Sequence, residues 1–317
     1  IRYYMDNNKP HGTSAKGKKT LTEEQKQQRR KGIGGSDAGA ILGINQYKSA
    51  FTLFQEKTGA ISDEVEYNDY MYWGDKLETL VGNRFCEETQ TEEIKFSQLN
   101  LALPEMPEYI LGIPDLFVIE KTASDYPSVV EIKTTSYKDP DEFMENLINH
   151  SYYAQLQHYL LKTGLSKGYI AVLFMDRREF RYNEYPRNED FINTLTEAYM
   201  SFWRRVELNE WPDIVDGSES TLEALKELHP DDNGNTTELS HEVMSAWNNR
   251  KKMKEIISDC EANEKLSNNI IRNAMGDNTF GIMPDGTKLS FKKTTRNNKA
   301  KEASISSFRS LREVKNK

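Results

Sequence analysis

The 317-residue sequence predicts an α/β (α+β) domain followed by a separate helical appendage. Three observations lead there. The stretches "YILGIPDLFVIE", "VVEIKTTS" and "GYIAVLFM" are short, apolar and bounded by turn residues, so they read as strands. Around them lie segments with apolar residues at helical spacing, such as Leu77, Leu80, Val81 and Phe85. Beyond residue 238 the pattern changes to one long, polar-interrupted helix and a hairpin.

Taken in order, residues 1–20 are polar and are expected to be mobile. A helix is expected from Thr22 to about Arg30. In "KGIGGSDAGAILGINQYKSAFTLFQEKTG" the glycines mark a turn, Ser36 reads as an N-cap and Ala38 to Leu42 as a short helix. A further helix covers Ala50 to Lys57 and stops at Gly59. "YMYWGDKLETLVGNRFCEET" is helical. "YILGIPDLFVIE" and "VVEIKTTS" form an antiparallel pair, with "KTASDYPS" as a long loop between them. "YYAQLQHYLLKTG" is a helix ended by Gly164, and "GYIAVLFM" is the third strand. A long helix from Asp190 to Asn209 and Trp211-Pro212 close the unit. The expected layout is a core over 21–212, a linker or surface excursion over 213–238, and a C-terminal helix, hairpin and basic tail over 239–317. The hairpin turns at Asp285-Gly286.

Composition narrows the function classes. No apolar run reaches the roughly 18 residues needed to span a bilayer, and no signal-peptide core is visible, so no membrane partner is expected. Cys86 and Cys260 are too few for a four-thiolate cluster and suggest a reducing cytoplasm. Net charge is −8, but it is unevenly spread. Residues 1–31 carry +6 and residues 288–317 carry +8, leaving −22 for the acidic body between them. Polyanion contact is therefore expected to be local, although solvated, floppy ends would look the same.

One stretch asks for a chemical explanation. In "VVEIKTTSY" Glu131 and Lys133 project from one face of a strand that otherwise reads as buried. On the neighbouring strand Pro114-Asp115 places another carboxylate within reach of Glu131. Two adjacent carboxylates in apolar surroundings repel unless a cation stabilises both. Mg²⁺ would resolve this, taking Asp115, Glu131 and the Ile132 carbonyl as hard oxygen ligands, with Mn²⁺ as a possible substitute. Lys133 beside a metal-bound water would help position it and stabilise charge on a phosphate. A structural salt bridge at a strand end would use the same residues. Glu78 lies upstream on a helix, and Gln155 and Tyr159 share a helix face downstream at i, i+4.

The order "WGDKLE", "GIPDLF", "VVEIKT", "QLQHY" resembles the PD-(D/E)XK nuclease superfamily, in the branch with a downstream Q-x-x-x-Y motif. The opening "RRKGIGGSDAGAILGINQYKSAFTLFQEKTG" is similar to that of the YqaJ-type viral recombinases, relatives of phage lambda exonuclease. The resemblance covers roughly residues 25–212. It implies a restriction-endonuclease-like core with a central mixed sheet flanked by helices. The implied activity is 5′-to-3′ exonuclease digestion of double-stranded DNA ends. In that family's pattern Asp115, Glu131 and Ile132 hold the metal and Glu78 a second metal or its waters. Lys133 orients the water, and Gln155 and Tyr159 brace Lys133 and the phosphate. Ser36 with Arg29 or Arg30 would receive a terminal 5′-phosphate, as an anion beside glycine-opened amides at a helix start would favour. A simple turn and cap is the other reading of these glycines. Also implied are a homo-oligomer such as a trimer, a single-strand annealing protein as partner, and a phage or prophage gene expressed in a bacterial cytoplasm. Two further readings stay open: another nuclease of the same fold that cuts internally or trims ends, and a non-catalytic DNA-binding assembly module. Residues 217–317 have no counterpart in the compact members.

Overall fold

The structure is a computed structural model that describes residues 23–62, 68–99, 104–120, 123–210 and 215–293. The expectations for residues 1–20, Trp211-Pro212 and the tail beyond residue 293 lie outside the described residues. Two compact units are present, Ile1–His229 and Pro230–Lys317.

The first unit is built on a five-stranded mixed sheet in the order β1-β2-β3-β4-β5. β1 is Thr91–Glu93, β2 Leu116–Glu120, β3 Ala123–Thr135, β4 Lys167–Phe174 and β5 Glu179–Pro186. β3 and β4 are parallel, and every other neighbouring pair is antiparallel. Helices α1 (Glu23–Arg30), α2 (Ala38–Ile41), α3 (Ala50–Thr58) and α4 (Asp69–Thr89) precede or interrupt the strands. α5 (Pro140–Glu145) and α6 (Ser151–Thr163) link β3 to β4, and α7 (Glu189–Leu208) and α8 (Glu219–Leu228) follow β5.

Alternation along β3 decides which helix covers which face. Val130 and Ile132 point to one side, where they pack with Leu116 and Val118 against Val81 and Phe85 of α4. Val129 points to the other, where it joins Phe117, Ile170 and Val172 under Leu156, Tyr159 and Leu160 of α6. Glu131 and Lys133 share the α6 side with Val129. A third cluster seats Ile33, Leu53, Phe54, Leu195 and Tyr199 together and ties α3 and α7 to the start of the chain.

Three expectations are corrected and one strand is added. The strand over 109–120 shrinks to Leu116–Glu120. Pro114 has no N–H to give a ladder, and Gly112 sits at φ +117, where extended pairing cannot continue. Ile110 instead bridges Ile33, with Leu111 N–H donating to the Ile33 carbonyl at 2.8 Å. "KTASDYPS" is not a long loop, because β3 begins at Ala123 and pairs back to Glu120. β5, "EFRYNEYP", was not anticipated. It is an edge strand, so none of its residues is buried and half are exposed. Residues 213–238 are not merely a linker. They contain α8, whose Thr221 Oγ1 lies 2.8 Å from Ser49 Oγ, and whose Ala224 packs with Phe51 and Ile61.

The second unit contains α9 (His241–Met275) and a hairpin of β6 (Phe280–Ile282) and β7 (Lys288–Ser290). Its turn uses Asp285 and Gly286 as anticipated, with Gly286 at φ +86 and Asp285 Oδ1 accepting from Thr287 N–H at 2.9 Å.

Candidate active site

The β2–β3 ladder stops at Leu116 opposite Val130. One residue further out, the Asp115 carboxylate takes over the partner's role: its Oδ2 accepts the Ile132 N–H at 2.9 Å. In an extended strand the N–H and C=O of one residue leave on the same edge, so the Ile132 carbonyl also points to this open end. Next to it Glu131 is completely buried. Its Oε1 accepts a hydrogen bond from Lys133 Nζ, and its Oε2 is buried without a hydrogen-bond partner. Burial, and then the neighbouring Asp115 charge, push the Glu131 carboxyl up to about 8 despite the opposing pull of Lys133. Burial acts to lower the Lys133 ammonium, but Glu131 and then Asp115 outweigh it and hold it above its usual range.

Such a site fits a divalent cation. It offers a buried carboxylate oxygen with no donor, a second carboxylate on the same side of the sheet, and a backbone carbonyl at the open edge. Among the described residues no group of three His, Cys, Asp or Glu side chains is placed to hold a metal. Glu78 lies on α4, one turn from Gly74 and Gly82, whose missing side chains would face Thr134 and Ile132.

α6 supplies the roof over the pair. Gln155 Nε2 donates to the Tyr159 hydroxyl at 3.3 Å, as the i, i+4 spacing led one to expect. Burial first, and Glu131 next, hold the Tyr159 hydroxyl well above its ordinary range. Lys133 Nζ sits 5.1 Å from the centre of the Tyr152 ring, and Tyr152 lies 4.1 Å from the His150 ring. Neither aromatic was singled out in the sequence, because each reads as an ordinary helix-start residue. His158, fully buried, is also new to the site. Its Nε2 lies 2.6 Å from the Leu111 carbonyl, which can only accept, so Nε2 carries the proton and Nδ1 accepts from the Tyr199 hydroxyl at 2.8 Å. That relay holds the segment leading into Asp115.

The glycine turn lies against the same helix. A Cβ on Gly35 would sit 2.6 Å from Tyr159 Cζ and 2.7 Å from its hydroxyl, so only glycine allows this approach. Ser36 is not an N-cap here. Residues Gly35–Asp37 form a 3₁₀ turn, and Asp37 Oδ2 accepts the Gly34 N–H at 2.9 Å in its place. Ser36 stands exposed on this turn. Asp37 is buried and paired with Lys57 Nζ at 2.8 Å, while Lys48 holds Glu56 at 2.7 Å. Burial alone would raise the Asp37 carboxyl, but Lys57 outweighs it and the net direction is downward. These four residues line a small, open cleft with Arg29 and Arg30. Both carboxylates are matched by a lysine, so the two arginines leave the cleft net positive. Lys57 escaped sequence reading because a lysine in a last helical turn needs no tertiary partner.

The comparisons with known proteins follow this geometry. Residues 24–166 match the YqaJ-like viral recombinase domain, a span that contains every residue of the site described above except Tyr199. A Bacillus subtilis (strain 168) protein described as "Uncharacterized protein YqaJ" is 30 % identical over 272 residues, 85 % of this chain and 83 % of that protein. Among solved structures, an alkaline exonuclease from Laribacter hongkongensis aligns with 17 % identity and a TM-score of 0.43, over 60 % of this chain and 94 % of that one. A phage related exonuclease from Haemophilus somnus 129PT aligns with 14 % identity and a TM-score of 0.39, over 56 % and 94 %. With the motif order, the mixed sheet and a relative matched along most of both chains, this chain belongs to the YqaJ-like viral recombinase family.

Proposed function

We propose that this chain is a metal-dependent deoxyribonuclease that digests double-stranded DNA from 5′ ends and leaves a 3′ single strand for recombination by annealing. The observation that carries this reading is the fully buried Glu131 with the half-buried Asp115 beside Lys133. Mg²⁺ or Mn²⁺ held by Asp115, Glu131 and the Ile132 carbonyl would supply Lewis-acid polarisation of the phosphodiester and ease deprotonation of water.

The chain's own groups do the rest. Lys133 is kept protonated by its two acids and points its ammonium where negative charge develops on the phosphate. Its stem is fixed by Glu131 on one side and the Tyr152 ring on the other. Gln155 and Tyr159 hold donors above the same spot, and burial keeps the tyrosine hydroxyl protonated. The cleft with Arg29 and Arg30 lies beside the Gly34–Asp37 turn, and the turn touches Tyr159 through Gly35. A terminal 5′-phosphate bound by the arginines, with Ser36 at the rim, would set the scissile bond at the carboxylate pair. Oligomerisation into a ring, such as a trimer, and hand-over to an annealing protein belong to the same reading.

The test uses linear duplexes with 5′-phosphate or 5′-hydroxyl ends and closed circles, each with Mg²⁺ or EDTA. Loss of the phosphorylated linear strand from its 5′ end, only with metal, is expected. Arg30→Ala should narrow the gap between phosphate and hydroxyl ends. Cutting of circles would replace this reading with an internal nuclease, and binding without cleavage with an assembly module.

A further inference from the structure

α9 runs for 35 residues, and among them only Trp247, Arg250, Asn268 and Met275 are less than fully exposed. Large apolar side chains stand in solvent along it, including Val243, Met253, Ile257 and Ile271, at 42–56 % exposure. Most fall on one stripe. With Val243 as position a of a seven-residue repeat, Ile257 and Ile271 are also a positions, and Met253 and Cys260 are d positions. The exposed Ile256 and Ile270 flank the stripe at g positions, and Met244 and Leu266 lie off it. Such a seam on a helix of about 52 Å calls for a helical partner.

Two charged residues on the seam decide what that partner is. Arg250 and Glu264 occupy the remaining a positions. A parallel, in-register second copy would set Arg250 against Arg250 and Glu264 against Glu264. An antiparallel copy does the reverse. With Ile257 layered on the partner's Cys260, Met253 falls on the partner's Glu264, and Arg250 lies in the adjacent layer, within reach of that carboxylate. In the same register the flanking Lys254 faces the partner's Glu261, and symmetry repeats the pair. A slip of one heptad in one direction sets Lys254 against Lys254, and in the other Glu261 against Glu261. Of these three antiparallel registers, only the first sets opposite charges together at the flanking positions while layering Ile257 on Cys260.

We propose that α9 pairs antiparallel with α9 of a second copy of this chain, through the Val243–Ile271 seam, in the register that joins Lys254 to Glu261. The proposal is independent of the nuclease reading. It is tested on the full chain in a Cys86→Ser background, where Cys260 is the remaining cysteine. The register places the two Cys260 thiols about one helical turn apart across the two-fold axis, within range of a short bismaleimide. Dimers cross-linked at Cys260 are expected, and Ile257→Asp should remove them. Lys254→Glu or Glu261→Lys alone should each weaken association by about tenfold, since each creates two like-charge contacts. The double exchange should restore wild-type cross-linking and sedimentation. Absence of cross-linked wild type, single exchanges without effect, or a double exchange as weak as the singles would each overturn the proposal. Helicity by circular dichroism distinguishes lost pairing from a lost helix.

Discussion

A carboxylate with one bonded oxygen and one buried, unbonded oxygen is costly unless a cation meets it, and Glu131 is in that position. Adding Mg²⁺ or Mn²⁺ should therefore raise the melting temperature of the wild type, and Glu131→Gln should remove most of that rise; an equal rise in the variant would exclude Glu131 from the metal site. Lys133 makes a different contribution. Its ammonium is held by Glu131 and the Tyr152 ring. Lys133→Ala should lower cleavage by about 10²-fold or more, in line with loss of a charge-stabilising donor, while duplex affinity stays within a few-fold. Equal losses in both would make Lys133 a binding residue. "VVEIKT" displayed these side chains in the sequence because a strand's period of two is rigid enough to read. Tyr152, Asp37 and Lys57 were not legible, since each owes its place to a partner from another element.

Elements meet at His158. One imidazole on α6 joins α7 through Tyr199 and the segment before β2 through Leu111. Burial lowers it to about 4, with the Leu111 bond opposing and Lys162 assisting. Because its folded value lies below the unfolded value of about 6.5, the folded state binds fewer protons. The stability this contributes is fully present above pH 6.5 and is lost as pH falls toward 4, by about 3 kcal/mol in all. Melting temperature against pH should show this fall in the wild type, and His158→Gln should flatten it; an unchanged slope would assign the acid sensitivity elsewhere. Helices were more legible than strands at this scale. α3, α6 and α7 appeared within a residue or two of their expected ends, because Gly59 and Gly164 stop them in left-handed conformation and Asn188 caps α7. β5 was missed because an edge strand need not be apolar. α8 was read as linker because its capping and packing depend on Ser49, Phe51 and Ile61, some 170 residues earlier.

At the scale of the whole molecule, an acidic body joins a strongly basic C-terminal stretch. Residues 294–317 carry seven Lys/Arg and two Glu. Truncation after Lys293 should weaken duplex binding most at low salt and reduce the slope of log affinity against log salt, since fewer counterions are released. An unchanged slope would leave DNA contact to the first unit. The sequence by itself determined the α/β class, the Asp115–Glu131–Lys133 grouping, the Gln155–Tyr159 pair and the long C-terminal helix. All are set by spacing along one or two adjacent segments, where strand and helix periods act directly. Only the tertiary structure decided that the Asp115 carboxylate takes the Ile132 N–H in place of a ladder partner. It likewise decided that Asp37 rather than Ser36 ties the glycine turn, and that Gly35 lets that turn touch Tyr159. Those outcomes depend on which faces pack together, and packing is settled by burial summed over the whole chain rather than by the residues at the contact.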